Sequence, residues 1–84
     1  MSTLEDRIRN IIATQLNVEL SRVTPEKTIM GDLWADSLAA VELSSAVEEA
    51  FHIEIPERDL RRLRTVGDII TYVDQHVGRT DSAN

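Results

Sequence analysis

The stretch "GDLWADSLAAVEL", Gly31 to Leu43, places Asp36 and Ser37 at the head of an amphipathic run. Local capping alone explains both residue types, since each favours the first turn of a helix. The position also suits a larger role. A serine there sits at the positive end of the helix dipole, among amides that lack intrahelical acceptors. A phosphate ester on its hydroxyl is thereby favoured by a few tenths to about 1 kcal/mol. A general base is harder to find, because Asp36 is adjacent only in sequence and His52 lies about one helix length away. Ser37 therefore reads as an acceptor of modification by another enzyme rather than as a nucleophile of its own. The chain has no cysteine, which excludes disulfides, thiolate metal sites and a cysteine nucleophile. His52 and His76 show no metal-ligand spacing and are expected at the surface, so no metal site is expected. Tyr72 is expected at the margin of a bundle rather than as a catalytic acid.

The elements that must position Ser37 follow from hydrophobic spacing. Ser2 with Glu5 has the pattern of a capping box, and Leu4, Ile8, Ile11, Ile12 and Leu16 recur at helical intervals. A first helix is expected from about Thr3 to Leu16, ended by Asn17. No period is sustained from Val18 to Asp36, although Glu19 to Val23 suits one helical turn, and Thr24-Pro25 and Gly31 punctuate the stretch. A connection this long in a small domain is uncommon and often functional. The second helix is expected from Asp36 to about Ala50 or Phe51, stopped by Ile53-Glu54-Ile55 and Pro56. A short third helix spans about Glu57 to Leu63. Thr65 with Asp68 resembles another cap, before a stripe of Val66, Ile69, Ile70, Val73 and Val77 that ends at Gly78. The fold expected is all-α: three principal helices and one short one, with Ile8, Leu43, Val47, Phe51, Leu60, Ile69 and Val73 meeting in the core. Residues 1–78 form the domain and 79–84 a polar, mobile tail.

The chain of 84 residues suits one domain, and its net charge of −6 is unevenly spread. Six acids lie between Asp36 and Glu57 with no Lys or Arg, and then Arg58, Arg61, Arg62 and Arg64 reverse the sign. A short arginine cluster in an acidic chain argues against nucleic-acid binding. No apolar run suits a membrane span or signal peptide, so a cytoplasmic location is expected. At 3.6 residues per turn the second helix turns Ala39, Ala40, Leu43, Ala46, Val47, Ala50 and Phe51 to the core. Leu38 and Val41 fall on the other side among Glu42, Ser45, Glu48 and Glu49. Exposed apolar residues are ordinary when isolated. As a docking face, these two would suit a groove rimmed by Lys or Arg, with charge guiding encounter.

Taken together, "DLWADSLAAVEL", "VEEAFHIEIPERDL" and "TVGDIITYV" resemble the acyl carrier protein family, in order and spacing, over nearly the whole chain to Val77. The resemblance implies a four-helix bundle with a long first loop, non-catalytic by itself. It further implies that Ser37 receives 4′-phosphopantetheine from coenzyme A through a phosphopantetheinyl transferase. The arm's thiol would carry acyl groups as thioesters in fatty-acid or polyketide-type biosynthesis, supplying the sulfur that the chain lacks. Implied partners are the transferase, an acyl-loading ligase or transferase, and ketoacyl synthases and related enzymes with basic docking surfaces. Asp36, Leu38, Val41, Glu42, Glu48 and Glu49 match the positions those surfaces recognise. A discrete monomeric protein is expected, with an excised synthase domain as the alternative. The rival readings are a peptidyl carrier and an unmodified helical adaptor docking a basic partner.

Three features depart from the family's pattern. Trp34 stands where many members have glycine, and a Cβ is penalised if that site needs positive φ. Its ring is expected to fold against the first or third helix, while the alternative makes it a partner contact beside Ser37. Ala39 replaces an often acidic residue. The arginines after Pro56 either pair with Glu54, Glu57 and Asp59 in solvent, where each pair contributes little, or favour a dedicated set of partners. An exposed acyl chain costs about 0.8 kcal/mol per methylene, so enclosure between helices is favourable. Ala40, Ala46 and Ala50 could leave such room, although close helix packing is the plainer use of them.

Overall fold

The computed structural model describes residues 3–83, with side chains described for residues 3–77. Four helices carry the architecture: α1 (Leu4–Leu16), α2 (Ser37–Phe51), α3 (Glu57–Leu60) and α4 (Val66–Ala83), with a single 3-10 turn at Leu20–Arg22. Among the described residues the β-structure consists of one isolated bridge, Thr28 to Thr65. The protein is an all-helical bundle in which α1 packs against both α2 and α4.

Each helix starts and stops where local chemistry dictates. The cap of α1 is Thr3, whose Oγ1 accepts the Asp6 N–H at 3.1 Å. It thus lies one residue later than the Ser2–Glu5 box expected from sequence, and Ser2 is outside the described residues. Asn17 ends α1 with φ 56°, in the left-handed region that Asn tolerates, and His52 ends α2 in the same way. At α4, Thr65 Oγ1 accepts the Asp68 N–H, and Asp68 Oδ2 in return accepts the N–H groups of Arg64 and Thr65. This is the reciprocal cap read from the sequence. The helix continues past Gly78 to Ala83, because a helical glycine costs only about 1 kcal/mol and no proline follows it. The side chains of the expected tail, 79–84, lie outside the described residues.

The long connection is well anchored. Val23, Ile29, Leu33 and Ala35 are all buried, and none of them had been assigned to the core from periodicity. Arg9 donates to the carbonyls of Val23 (2.6 Å) and Leu20 (3.0 Å), tying the 3-10 turn to α1. Ile29 N–H donates to Arg64 O and Val66 N–H to Lys27 O, which binds the loop to the start of α4. Gly31 is required by close approach, since a Cβ there would lie 2.6 Å from Thr28 Oγ1. The expected core residues are buried with one exception, Leu60, which is partly buried. Ala50 is exposed, contrary to expectation. The buried row of α2 is Leu43, Val47 and Phe51, spaced i, i+4, and Ala50 lies off that row at the last turn.

The third helix is shorter than expected. After Leu60 the chain passes through successive turns that bring Leu63 inward and deliver Thr65 to its capping position. Four residues cannot hold a helix by their own hydrogen bonds, so α3 is fixed from outside. The Tyr72 hydroxyl donates to Asp59 Oδ2 at 2.9 Å and lies 3.3 Å from Glu54 O, while the Tyr72 ring stacks on His76 at 4.0 Å. His76 is thereby half-buried rather than fully at the surface.

Burial, the bond to Asp59 and the nearby charges of Asp59 and Glu48 raise the Tyr72 phenol from 10.0 to about 12. The neutral phenol is the form the fold favours. Its contribution to stability is complete below the ordinary tyrosine pKa and is lost as pH rises through the folded value. Tyr72 is the chain's only tyrosine, so ultraviolet phenolate titration of the native protein reads it directly. The expected midpoint is near pH 12, and Tyr72→Phe removes the alkaline fall in unfolding free energy. A midpoint at the ordinary tyrosine value would contradict this tether.

Candidate functional site

Ser37 is presented by an alternation in the preceding residues. Leu33 and Ala35 are buried while Trp34 and Asp36 are exposed, and Asp36 enters α2 with extended backbone. The approach is held by a closed loop in which Asp32 Oδ2 accepts the Thr28 N–H at 2.9 Å and Asp32 N–H donates to Thr28 Oγ1 at 2.8 Å. The bond from the Thr28 backbone holds the Asp32 carboxyl below the usual carboxylate range.

Asp36, at φ −89° and ψ −177°, is the N-cap of α2, and its Oδ1 accepts the Ala39 N–H at 2.7 Å. Ser37 is the first helical residue and is exposed. Among the described residues its hydroxyl takes part in no hydrogen bond, so the oxygen is free to react. The carboxylate beside it caps the helix through Oδ1. His52, the other candidate base, closes the opposite end of a 15-residue helix, about 22 Å away at 1.5 Å per residue. The site thus offers an exposed acceptor oxygen at a helical N-terminus, a position that favours a phosphate ester.

Around Ser37 the expected docking residues fall out unequally. Leu38 is 66 % and Val41 50 % exposed, and Asp36, Glu42 and Glu49 are exposed beside them. Glu48 differs, being half-buried with Oε2 accepting the Ile55 N–H at 2.7 Å. Its charge is partly spent on holding the chain that follows α2, so substitution at Glu48 disturbs the fold as well as the surface.

A cleft of about 870 Å³ opens beside Ser37 and runs between α2 and the α3 segment. Its walls are mainly apolar, including Met30, Val41, Ile55, Leu60 and Leu63. Of the three alanines that could leave room along α2, only Ala40 lines it, at the Ser37 end. Arg61 and Arg64 stand on the opposite wall. The arginine cluster pairs less than its sequence suggested. Among the described residues Arg61 meets Glu57 at 3.2 Å in solvent, while Asp59 is taken by Tyr72. Periodicity marks Leu60 as a core residue, and the structure shows that it and Leu63 also wall this cleft.

Trp34 overturns the expectation that it would fold onto a helix. The ring is 73 % exposed, at φ 60°, with the Arg22 guanidinium 5.1 Å from its centroid. The left-handed backbone costs a residue with a Cβ about 1–2 kcal/mol, whereas an exposed cation–π contact returns only about 0.5–1 kcal/mol. Trp34 therefore adds little or nothing to stability.

In comparison with known proteins, the model of a family described as "Phosphopantetheine attachment site" matches residues 6–73, most of the chain from the first turn of α1 into α4. No helix among the described residues is long and apolar enough to cross a membrane.

The cap and the charge of Asp36 are separable. Asp36→Ala removes the acceptor for the Ala39 N–H and is expected to cost about 1 kcal/mol in urea denaturation, while Asp36→Asn retains most of that stability. Equal losses in the two variants would show that the carboxylate acts through its charge and not as a cap.

Proposed function

The chain belongs to the family of carrier proteins that bear a phosphopantetheine attachment site, and from that premise we propose that it is an acyl carrier protein modified at Ser37. The observation that carries this reading is the exposed, unengaged Ser37 hydroxyl at the capped start of α2, lining a mainly apolar cleft. When attached, 4′-phosphopantetheine supplies a flexible arm ending in a thiol that holds cargo as a thioester.

The chain's own residues account for the rest of the function. Ser37 Oγ is the atom that forms the new bond to the phosphorus on the pantetheine side as the phosphoanhydride bond of coenzyme A breaks and adenosine 3′,5′-bisphosphate leaves. The hydroxyl proton goes to a base on the transferase, while Asp36 Oδ1 holds the Ala39 N–H and fixes the start of α2. The amides of the first turn of α2 then face the resulting phosphodiester and favour its negative charge. Asp36, Glu42 and Glu49 set the orientation of Lys- and Arg-rich partner surfaces, and Leu38 and Val41 supply apolar contact. Glu48 contributes charge to that face while holding Ile55.

An acyl cargo suits this chain better than an aminoacyl one. The cleft beside Ser37 is mainly apolar, and each methylene sheltered there avoids a cost of about 0.8 kcal/mol in water. The acid before Ser37 and the acids of α2 support the same choice. The protein is accordingly a non-catalytic, cytoplasmic shuttle in fatty-acid or polyketide-type synthesis, loaded and unloaded by partner enzymes.

Incubation with coenzyme A and a broad-specificity phosphopantetheinyl transferase, followed by intact-mass measurement, tests the attachment. One added arm on the wild type and none on Ser37→Ala is the expected result. An unchanged wild-type mass with several competent transferases would instead leave an unmodified docking module. Partner electrostatics are tested by Glu42→Lys, which is expected to slow modification roughly three- to ten-fold at low salt, with the difference shrinking as salt is added. Equal rates at low salt would remove the charge-guided docking.

A further inference from the structure

We propose that Trp34 is a docking residue whose exposed indole enters an apolar slot, rimmed by lysine or arginine, on the enzymes that act at Ser37. The proposal rests on the reading of Ser37 as the attachment residue and extends the recognition surface from α2 onto the preceding loop.

Position makes contact hard to avoid. Trp34 precedes Ser37 by three residues, and an extended chain spans at most about 3.6 Å per residue, so the two Cα atoms lie within roughly 11 Å. A standard interface covers about 800 Å² on each partner, equivalent to a disc of roughly 16 Å radius. An enzyme whose footprint is centred on Ser37 therefore either contacts the indole or must leave space for it.

The chemistry of the surroundings selects contact. The Arg22 guanidinium lies 5.1 Å from the ring centroid, and the residue remains 73 % exposed. Leu38 and Val41 continue the apolar surface beyond Ser37, and Asp36 and Glu42 border it with negative charge. The matching partner surface is thus an apolar recess whose basic rim faces Asp36 and Glu42 and not Arg22, which sits at the ring. A tryptophan side chain has only two rotatable torsions and so loses little conformational freedom on binding, and Trp is enriched among residues that dominate interface energies. Neither burial nor favourable backbone geometry explains the residue, since the ring is exposed and its φ is positive.

The test uses the full chain, coenzyme A and a phosphopantetheinyl transferase, with Trp34→Gly and Trp34→Phe as variants. Glycine is chosen because it accepts positive φ, so loss of function is not confounded with strain. In Trp34→Gly the KM of the transferase for the carrier is expected to rise about tenfold, as for loss of one dominant contact, with kcat largely unchanged. Trp34→Phe is expected to stay within about threefold of the wild type, as an aromatic that still fills the slot. The thermal midpoint of Trp34→Gly should lie within about 2 °C of the wild type or above it. Unchanged or faster modification of Trp34→Gly would overturn the proposal. So would a fall of more than about 5 °C in its midpoint, which would make Trp34 a structural residue. If the wild type itself is not modified, the reading of Ser37 fails first, an outcome distinct from a modified wild type with an indifferent Trp34→Gly.

Discussion

The bond between the Asp36 carboxylate and the Ala39 amide fixes where α2 begins, and the placement of Ser37 depends on it. Were the helix to start one residue later, Ser37 would become the cap and its oxygen would turn inward to the amides. With Asp36 in that role, Ser37 is the first helical residue and its hydroxyl faces solvent. The bond can form only because the loop arrives in register. Leu33 and Ala35 are sunk in the core, Thr28 and Asp32 close the turn before them, and Ile29 is bonded to Arg64. The core of the bundle and the exposure of one oxygen are thus parts of a single constraint.

The second half of the molecule is held by polar contacts at its edges. The segment around α3 is too short to be stable alone. It is pinned by Tyr72 to Asp59 on one side and by Glu48 to the Ile55 amide on the other. Ile55, Leu60 and Leu63 of this segment line the cleft that Ser37 also lines. Glu48 belongs at once to the acidic surface of α2 and to the framework of the cleft. The acids of this face consequently differ in kind, Glu42 and Glu49 being exposed and Glu48 engaged.

Much of this was legible in the sequence because it rests on local chemistry. The spacing of Ile8, Ile12, Leu43, Val47, Ile69 and Val73 marks helices whose buried stripes the structure retains. Asn17, Asp36 and Thr65 mark ends, and Leu38 and Val41 stand off the buried face of α2, as a helical wheel requires. What was not legible depends on contacts distant in sequence. Val23, Ile29 and Leu33 follow no period because an irregular loop buries them. Trp34 is a strongly apolar residue that composition would place inside, yet its neighbours Leu33 and Ala35 take the inward positions and leave it out. Glu48 and Asp59 read as surface acids, and only tertiary structure reveals the amide and the phenol that they bind.

The central claim is that one particular oxygen, among several exposed serine hydroxyls, is the attachment point. Ser44 and Ser45 lie on the same helix and line the same cleft, but neither stands at the helical N-terminus. Proteolytic digestion of the modified chain, with fragment-ion sequencing of the peptide spanning α2, measures this directly. The account predicts the arm on Ser37 alone, and an arm found on Ser44, Ser45 or any other residue would contradict it.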